Sequence, residues 1–143
     1  MLEEYSIYFK KIAMPQAAIE RVEIVSGYID KIKSEEIIDV FICDSVNSEG
    51  MRSYDSLFLI TENYVHEAKQ FLLKDNIDSM KIARIKHIDF NSVDYDYEKA
   101  TNKSRLDIQC TYSFGMSIYM KATGNNCDVL VSIYNKHFKN RIE

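Results

Sequence analysis

The C-terminal part of the chain carries the pattern that most constrains its fold. Arg105–Tyr112 and Met116–Thr123 alternate apolar and polar residues, and a period of two predicts strands with one buried face. Ser113–Gly115 supplies turn residues between them, so the two segments are predicted to form a hairpin. An amphipathic helix is predicted from Asn126 to Phe138. Strands closed by a single terminal helix favour an α+β fold with an antiparallel sheet.

The beginning of the chain predicts helices. A short amphipathic helix is expected first, and Pro15 suits the first turn of a second helix, which runs from about Gln16 to Lys33. The apolar positions recur at helical spacing and are Leu2, Tyr5, Phe9 and Ile12, then Ala18, Val22, Val25, Ile29 and Ile32. The second stripe is expected either to pack on the sheet or to form a partner-binding face.

The middle of the chain predicts further strands. Glu36–Asp44 and Ser56–Thr61 are dense in apolar residues, as in strands buried on both faces. Asp44–Asp55 between them is the most loop-like stretch, and we expect a plain connection there.

Two later segments are less regular. Tyr64–Leu73 fits either a helix or a hairpin strand, with a slight preference for the strand. Met80–Phe90 changes its apolar parity, which indicates a bulge or two short strands. Val93–Glu98 then alternates cleanly, with Val93, Tyr95 and Tyr97 on one predicted face.

Length and charge limit the class of protein. The 143 residues favour one domain spanning 1–143, with a helical part over about 2–33 and a sheet plus terminal helix over about 36–140. The formal net charge of −4 gives no global attraction for nucleic acid, so no nucleic-acid partner is expected. The acidic start lacks the features of a secretory signal, and no apolar run has the length of a membrane helix. The three cysteines show no metal-ligand spacing, and their odd number argues against a disulfide framework. A reduced, cytoplasmic protein is the prediction.

The chemistry-bearing residues form no recognised constellation. His66, His87 and His137 lack the spacing of a helical metal pair, and each is expected at the surface or boundary. His66 and Glu67 are adjacent, and neighbours on a strand point to opposite faces. Cys127 lies at a helix start, where a helix dipole can lower a thiol pKa, but no base accompanies it and a structural packing role is expected. The chain therefore predicts no enzymatic activity, no cofactor and no metal site.

Two charged clusters remain as candidate binding features. Asp94, Asp96 and Glu98 lack the glycine and distal glutamate of a calcium loop, and we interpret them as a solvated strand face that guards against edge pairing. Lys81, Arg84 and Lys86 form the basic cluster, which is a candidate contact for a phosphate, an acidic partner or a lipid headgroup. Lys69, Lys74 and His87 are further basic residues that are expected to extend this cluster.

The strand segments Ser56–Thr61, Arg105–Ile108 and Ile118–Ala122, with the helix that follows from Asn126, resemble the second half of a pleckstrin-homology-like domain. The resemblance implies a strongly bent antiparallel sheet, a PH-like barrel, closed at one end by the terminal helix. The segments Ser104-Arg105-Leu106 and Asn126-Cys127-Asp128 are similar to short sequence segments in small proteins of unknown function from Gram-positive bacteria. These families imply no catalytic residue.

The leading functional hypothesis is a non-enzymatic binding or adaptor module for a protein partner. The first alternative is a small-ligand pocket lined by tyrosine and methionine side chains. The second is recognition of an anionic phosphate or lipid by Lys81, Arg84 and Lys86. The sequence does not identify the partner or the oligomeric state.

Overall fold

The computed structural model of the chain describes residues 3–73, 81–84, 88–98, 103–112 and 117–139. A short 3-10 turn at Glu3–Tyr5 precedes helix α1 (Ser6–Lys11), and helix α2 (Gln16–Tyr28) continues into a π-helical turn at Ile29–Lys33. The remaining elements, in chain order, are β1 (Asp39–Val46), β2 (Arg52–Ile60), β3 (Tyr64–Lys69), β4 (Lys81–Arg84), β5 (Ile88–Glu98), β6 (Lys103–Tyr112), β7 (Ser117–Thr123) and α3 (Asn126–His137).

The described strands form two sheets, one ordered β1-β2-β3-β4 and the other β5-β6-β7. The pairs β2–β3, β5–β6 and β6–β7 are antiparallel. The α+β prediction and the closing C-terminal helix are confirmed. Among the described helices, none combines the length and the apolar character that crossing a membrane requires.

The chain divides into two compact units. Unit 1 contains Met1–Ile42 and Asp55–Ala83, and unit 2 contains Cys43–Tyr54 and Arg84–Glu143. The β1–β2 pair therefore contributes residues to both units. The prediction of one domain over 1–143 stays a prediction.

The core of unit 1 includes the predicted stripe of α2. Ala18, Val22, Val25 and Ile29 are buried, and Arg21 Nε donates a 2.9 Å hydrogen bond to the carbonyl of Phe71. The stripe is therefore part of the protein core, and the alternative of a partner-binding face is wrong. The other buried apolar residues of unit 1 are Phe9, Ile12, Met14, Val40, Phe41, Ile42, Leu57, Phe58, Leu59, Ile60, Val65 and Phe71.

The core of unit 2 lies between one face of the β5-β6-β7 sheet and α3, which packs on β6 and β7. Alternate residues of the strands point inward, as their period of two predicts. The buried residues on the two strands are Leu106, Ile108, Cys110, Ile118, Met120 and Ala122. Helix α3 contributes Leu130 and Ile133, and Phe138 follows directly after it.

The predicted loop over Asp44–Asp55 is mostly strand. Strand β1 continues to Val46 and β2 begins at Arg52, so only the turn between them is irregular. Asn47 Oδ1 accepts hydrogen bonds from the backbone N–H groups of Glu49 and Met51, at 3.0 and 2.9 Å. Gly50 has a φ of +81°, which a residue without Cβ adopts readily. This tight local turn explains why a polar stretch pairs as strands.

The ambiguous segments resolve as strands. Tyr64–Leu73 is strand β3 as far as Lys69, followed by a turn through Gln70, whose φ is +52°. The described part of Met80–Phe90 contains β4 and the start of the long strand β5, while Met80 and residues 85–87, where the apolar parity changes, lie outside the described residues. The β5–β6 register shifts between Ile88 and Phe90. The predicted turn at Ser113–Gly115 lies outside the described residues.

Candidate functional site

The predicted basic cluster is only partly described. Lys81 and Arg84 lie at the two ends of β4, and their side chains lie outside the described part of the structure. Lys86, Lys74 and His87 also lie outside the described residues, while Lys69 is exposed at the end of β3. The cluster stays a prediction from the sequence.

The edge of the unit 2 sheet at β7 is closed by side chains from the end of β1. The backbone N–H of Lys121 donates to Cys43 Sγ at 3.4 Å, and the same sulfur lies 3.9 Å from the carbonyl oxygen of Tyr119. The backbone N–H of Thr123 donates to Asp44 Oδ1 at 3.0 Å. Successive edge groups of β7 therefore have side-chain partners, which removes the template that an open strand edge offers.

Asp44 is the centre of this closure. It is fully buried, and besides Thr123 N it accepts from Thr123 Oγ1 at 2.6 Å and from Asn126 Nδ2 at 2.7 Å. Arg52 Nε lies 3.1 Å from Asp44 Oδ2 and supplies the opposite charge. Three hydrogen-bond donors and a guanidinium satisfy this buried carboxylate, so Asp44 has the arrangement of a structural hub, a residue that connects several elements.

The asparagines at the start of α3 belong to the same network. Asn125 is the N-cap residue of α3, yet its side chain makes no capping hydrogen bond; instead its Oδ1 accepts from Arg52 Nη2 at 3.1 Å. Asn126 donates to Asp44 and is fully buried. Residues of β1 and β2 therefore bind both amides, and local spacing in the sequence does not indicate these long-range contacts.

Strand β5 forms the opposite edge of the unit 2 sheet, and no described strand pairs with its outer side. Val93 and Tyr95 stand opposite Ile108 and Leu106 of β6, so they share the face that the core uses. Yet Val93 is 53% exposed and Tyr95 is 65% exposed. The apolar face of the sheet thus continues past the buried core, and Val93 and Tyr95 form an exposed apolar strip on β5.

The outer face of the same sheet is polar. Asp94 stands opposite Asp107, and Asp107 stands opposite Lys121 on β7. These residues line a shallow groove of about 290 Å³, together with Ser92, Gln109 and Tyr119. Asp107 Oδ1 is buried without a hydrogen-bond partner among the described residues, while its Oδ2 lies 3.8 Å from Arg105 Nε. Asp94 and Asp96 are exposed, as the solvated-face interpretation predicts, and the side chain of Glu98 is not described.

Unit 1 contains a separate polar group beside a cleft. The π-helical turn ends at Ser34, whose φ of +53° redirects the chain into Glu35. Glu35 Oε1 accepts from Thr61 Oγ1 at 2.6 Å and lies 3.3 Å from His66 Nε2. The adjoining cleft has a volume of about 370 Å³ and is lined by Ser34, Glu35, Glu36, Ile38, Thr61, Glu62, Asn63 and Tyr64.

His66 departs from the expected surface or boundary position. It is buried and stands opposite Leu59, whereas Glu67 stands opposite Phe58, so the two neighbours face opposite ways as predicted. The apolar residues Val65 and Ala68, close to His66 in the sequence, are a weak indication that this histidine is buried. Its partner Glu35 was not foreseen, since the two residues come from different elements that only the tertiary structure brings together.

The cysteines of unit 2 show no sign of activation. Burial raises the pKa of the Cys127 thiol, while the nearby Ser104 hydroxyl acts in the other direction, and the burial of this side chain agrees with the expected packing role. Burial also raises the pKa of Cys110 to about 12. Cys43 and Cys110 are buried in strands, as predicted, and all three cysteines are free thiols. Within the described residues, no group of three or more metal-ligating side chains comes together.

Comparison of the chain with protein-family models, curated proteins and solved structures finds no match.

Proposed function

We propose that this chain is a non-enzymatic protein-binding module and that β5 of unit 2 is its binding strand. One observation carries the proposal: the sheet is closed by side chains at β7, while β5 presents Val93 and Tyr95 uncovered on the core face. An adaptor role in a bacterial cytoplasm, on a PH-like framework of sheet and closing helix, is part of the same proposal.

The physical basis is the chemistry of an open strand edge. Such an edge offers unpaired N–H and C=O groups, and an added strand from a partner pairs with them while alternate side chains fill adjoining pockets. Strand β5 is long, spanning Ile88–Glu98, so it has room for a partner segment of typical strand length. Removing Val93 and Tyr95 from water adds a favourable apolar contribution to that pairing.

The test is a pull-down from lysate of the source cells with the tagged full chain, compared with a Val93→Ser/Tyr95→Ser variant. The matched control is Ile24→Ser/Val131→Ser, which removes exposed apolar side chains from α2 and α3. We expect a protein that binds the wild type and the control but is lost with the β5 variant, with all three chains equally stable to heat. A partner retained by the β5 variant, or none with the wild type, would contradict the proposal.

A small-ligand pocket is the second candidate, and the cleft beside Glu35 favours it. Its volume of about 370 Å³ is within the range of small-molecule sites, and Glu35, Asn63 and Tyr64 offer polar groups beside Ile38. A thermal-shift screen of metabolites tests it, with Glu35→Gln as the site variant and Glu23→Gln on α2 as the control. A stabiliser whose effect survives Glu35→Gln would sink this candidate. Anion recognition by Lys81, Arg84 and Lys86 stays a prediction.

A further inference from the structure

We infer that the segment bound by β5 is an extended strand with basic side chains on one face and apolar side chains on the other. This inference rests on the proposed function and names the chemistry of its partner. It follows from the two faces of β5, which differ in character. Val93 and Tyr95 are exposed on the core face, whereas Asp94 and Asp96 are exposed on the outer face.

The outer face carries two adjacent aspartates with a lysine on one side only. Across the three strands the order is Lys121 on β7, Asp107 on β6 and Asp94 on β5. Two like charges directly opposite each other are destabilising, and Lys121 lies beyond Asp107, away from Asp94. A lysine or arginine on a fourth strand, opposite Asp94, would place a positive charge on the other side of this aspartate pair and offset the repulsion.

The neighbouring row also ends in an aspartate on β5, although the residue opposite it on β6 is basic. Arg105 on β6 stands opposite Asp96 on β5, so a strand added beyond β5 again meets an aspartate first. On the other face the added strand meets Val93 and Tyr95. Because side chains alternate along a strand, the partner needs basic and apolar residues at alternate positions.

A second copy of this chain does not fit this description. Antiparallel pairing of two β5 strands about Tyr95 would place Asp94 of one copy opposite Asp96 of the other, and each chain carries a net charge of −4. Like charges directly opposite disfavour that pairing. The geometry thus points to a different, basic partner segment.

The experiment measures binding of three synthetic ten-residue peptides to the full chain by fluorescence anisotropy. The first has lysine at alternate positions with valine or threonine between, the second has glutamate in place of lysine, and the third is the lysine peptide with alternate backbone nitrogens methylated. We expect the lysine peptide to bind and the other two to bind at least tenfold more weakly. Asp94→Asn and Asp96→Asn should each weaken the lysine peptide about two- to fivefold, whereas Asp128→Asn on α3 should leave it unchanged.

The outcomes separate this inference from the proposed function. Equal binding of the lysine and glutamate peptides, or no binding of either, overturns the partner chemistry. If the pull-down nevertheless recovers a partner that Val93→Ser/Tyr95→Ser loses, the binding role of β5 stands without it. Retained binding of the methylated peptide overturns strand addition, and dimerisation of the chain through β5 in sedimentation experiments overturns the choice of a different partner.

Discussion

Among single residues, Asp44 connects four elements of unit 2. Its carboxylate joins the end of β1 to β7 through Thr123, to α3 through Asn126 and to β2 through Arg52. The sequence placed this aspartate at the border of a strand and a loop. Its burial became evident only when the three partners, distant along the chain, were brought together.

Asp44→Asn is expected to lower the free energy of unfolding by about 3 kcal/mol. The substitution leaves Arg52 facing a neutral group and turns one acceptor oxygen into a donor, next to groups that themselves donate. Urea unfolding followed by circular dichroism gives the measurement. Asp128→Asn is the control, because Asp128 is exposed in the first turn of α3 and contributes at most about 1 kcal/mol through the helix dipole. Similar losses in both variants would refute the hub role.

Cys110 is expected to make the free energy of unfolding depend on pH in the alkaline range. Its thiol has a pKa of about 12 in the folded chain, against an ordinary value of 9.0. Between these values the unfolded chain loses a proton that the folded chain keeps, so the free energy of unfolding falls as the pH rises, by up to about 1.4 kcal/mol per pH unit. The stabilisation is complete below pH 9.

Urea unfolding at pH 8, 9 and 10 tests this dependence. Cys110→Val removes the titrating thiol while it keeps an apolar side chain of similar size, and we expect a smaller decline of stability above pH 9. An identical decline in the two chains would mean that another group, such as Tyr5, whose pKa is also raised to about 12 mainly by burial, accounts for it.

Among the elements, α2 shows how far local pattern predicts structure. The helical spacing of Ala18, Val22, Val25 and Ile29 identified the buried face, because each turn of the helix repeats the same direction. The pattern did not say what covers that face. Both options left open by the sequence place the same residues out of water, so only the tertiary structure distinguished a core from a partner surface.

Two adjacent residues of α2 test this conclusion. Val25 is 3% exposed and Ile24 is 51% exposed. Val25→Asp buries an unpaired charge, and we expect it to cost several kcal/mol, enough to unfold a domain of ordinary stability. Ile24→Asp should change stability by less than about 1 kcal/mol. Thermal melts followed by circular dichroism give the comparison. Similar melting temperatures of the two variants would contradict the placement of the α2 stripe in the core.

The two edge strands of unit 2 show the limit of the same reasoning. Alternation predicts β5 and β7 equally well, since each has one apolar and one polar face. It does not predict that Cys43 and Asp44 close β7 or that Val93 and Tyr95 stay uncovered on β5. The interpretation of Asp94, Asp96 and Glu98 as guards against edge pairing stays a prediction, and the proposed partner differs from an acidic or identical strand because it is basic.

At the scale of the whole molecule, the three cysteines all belong to unit 2 and are buried as free thiols. We expect none to react rapidly with a thiol reagent at pH 8 in the native chain and all three to react in denaturant, since burial blocks access and raises the pKa of Cys110 and Cys127. Time-resolved labelling with mass spectrometry gives the count. One rapidly labelled cysteine in the native chain would contradict this burial, and Cys127→Ser would show whether the helix start is responsible.

The sequence by itself determined the α+β class, the β6 and β7 strands, the terminal helix and the buried face of α2. These features follow from periodicities of two and 3.6 residues, which each segment carries locally. The tertiary structure decided which aspartate is buried, which sheet edge is closed and which carboxylate meets His66. Each of these depends on residues from separate elements, such as Glu35 with His66 or Asp44 with Asn126, and no local pattern records which elements will meet.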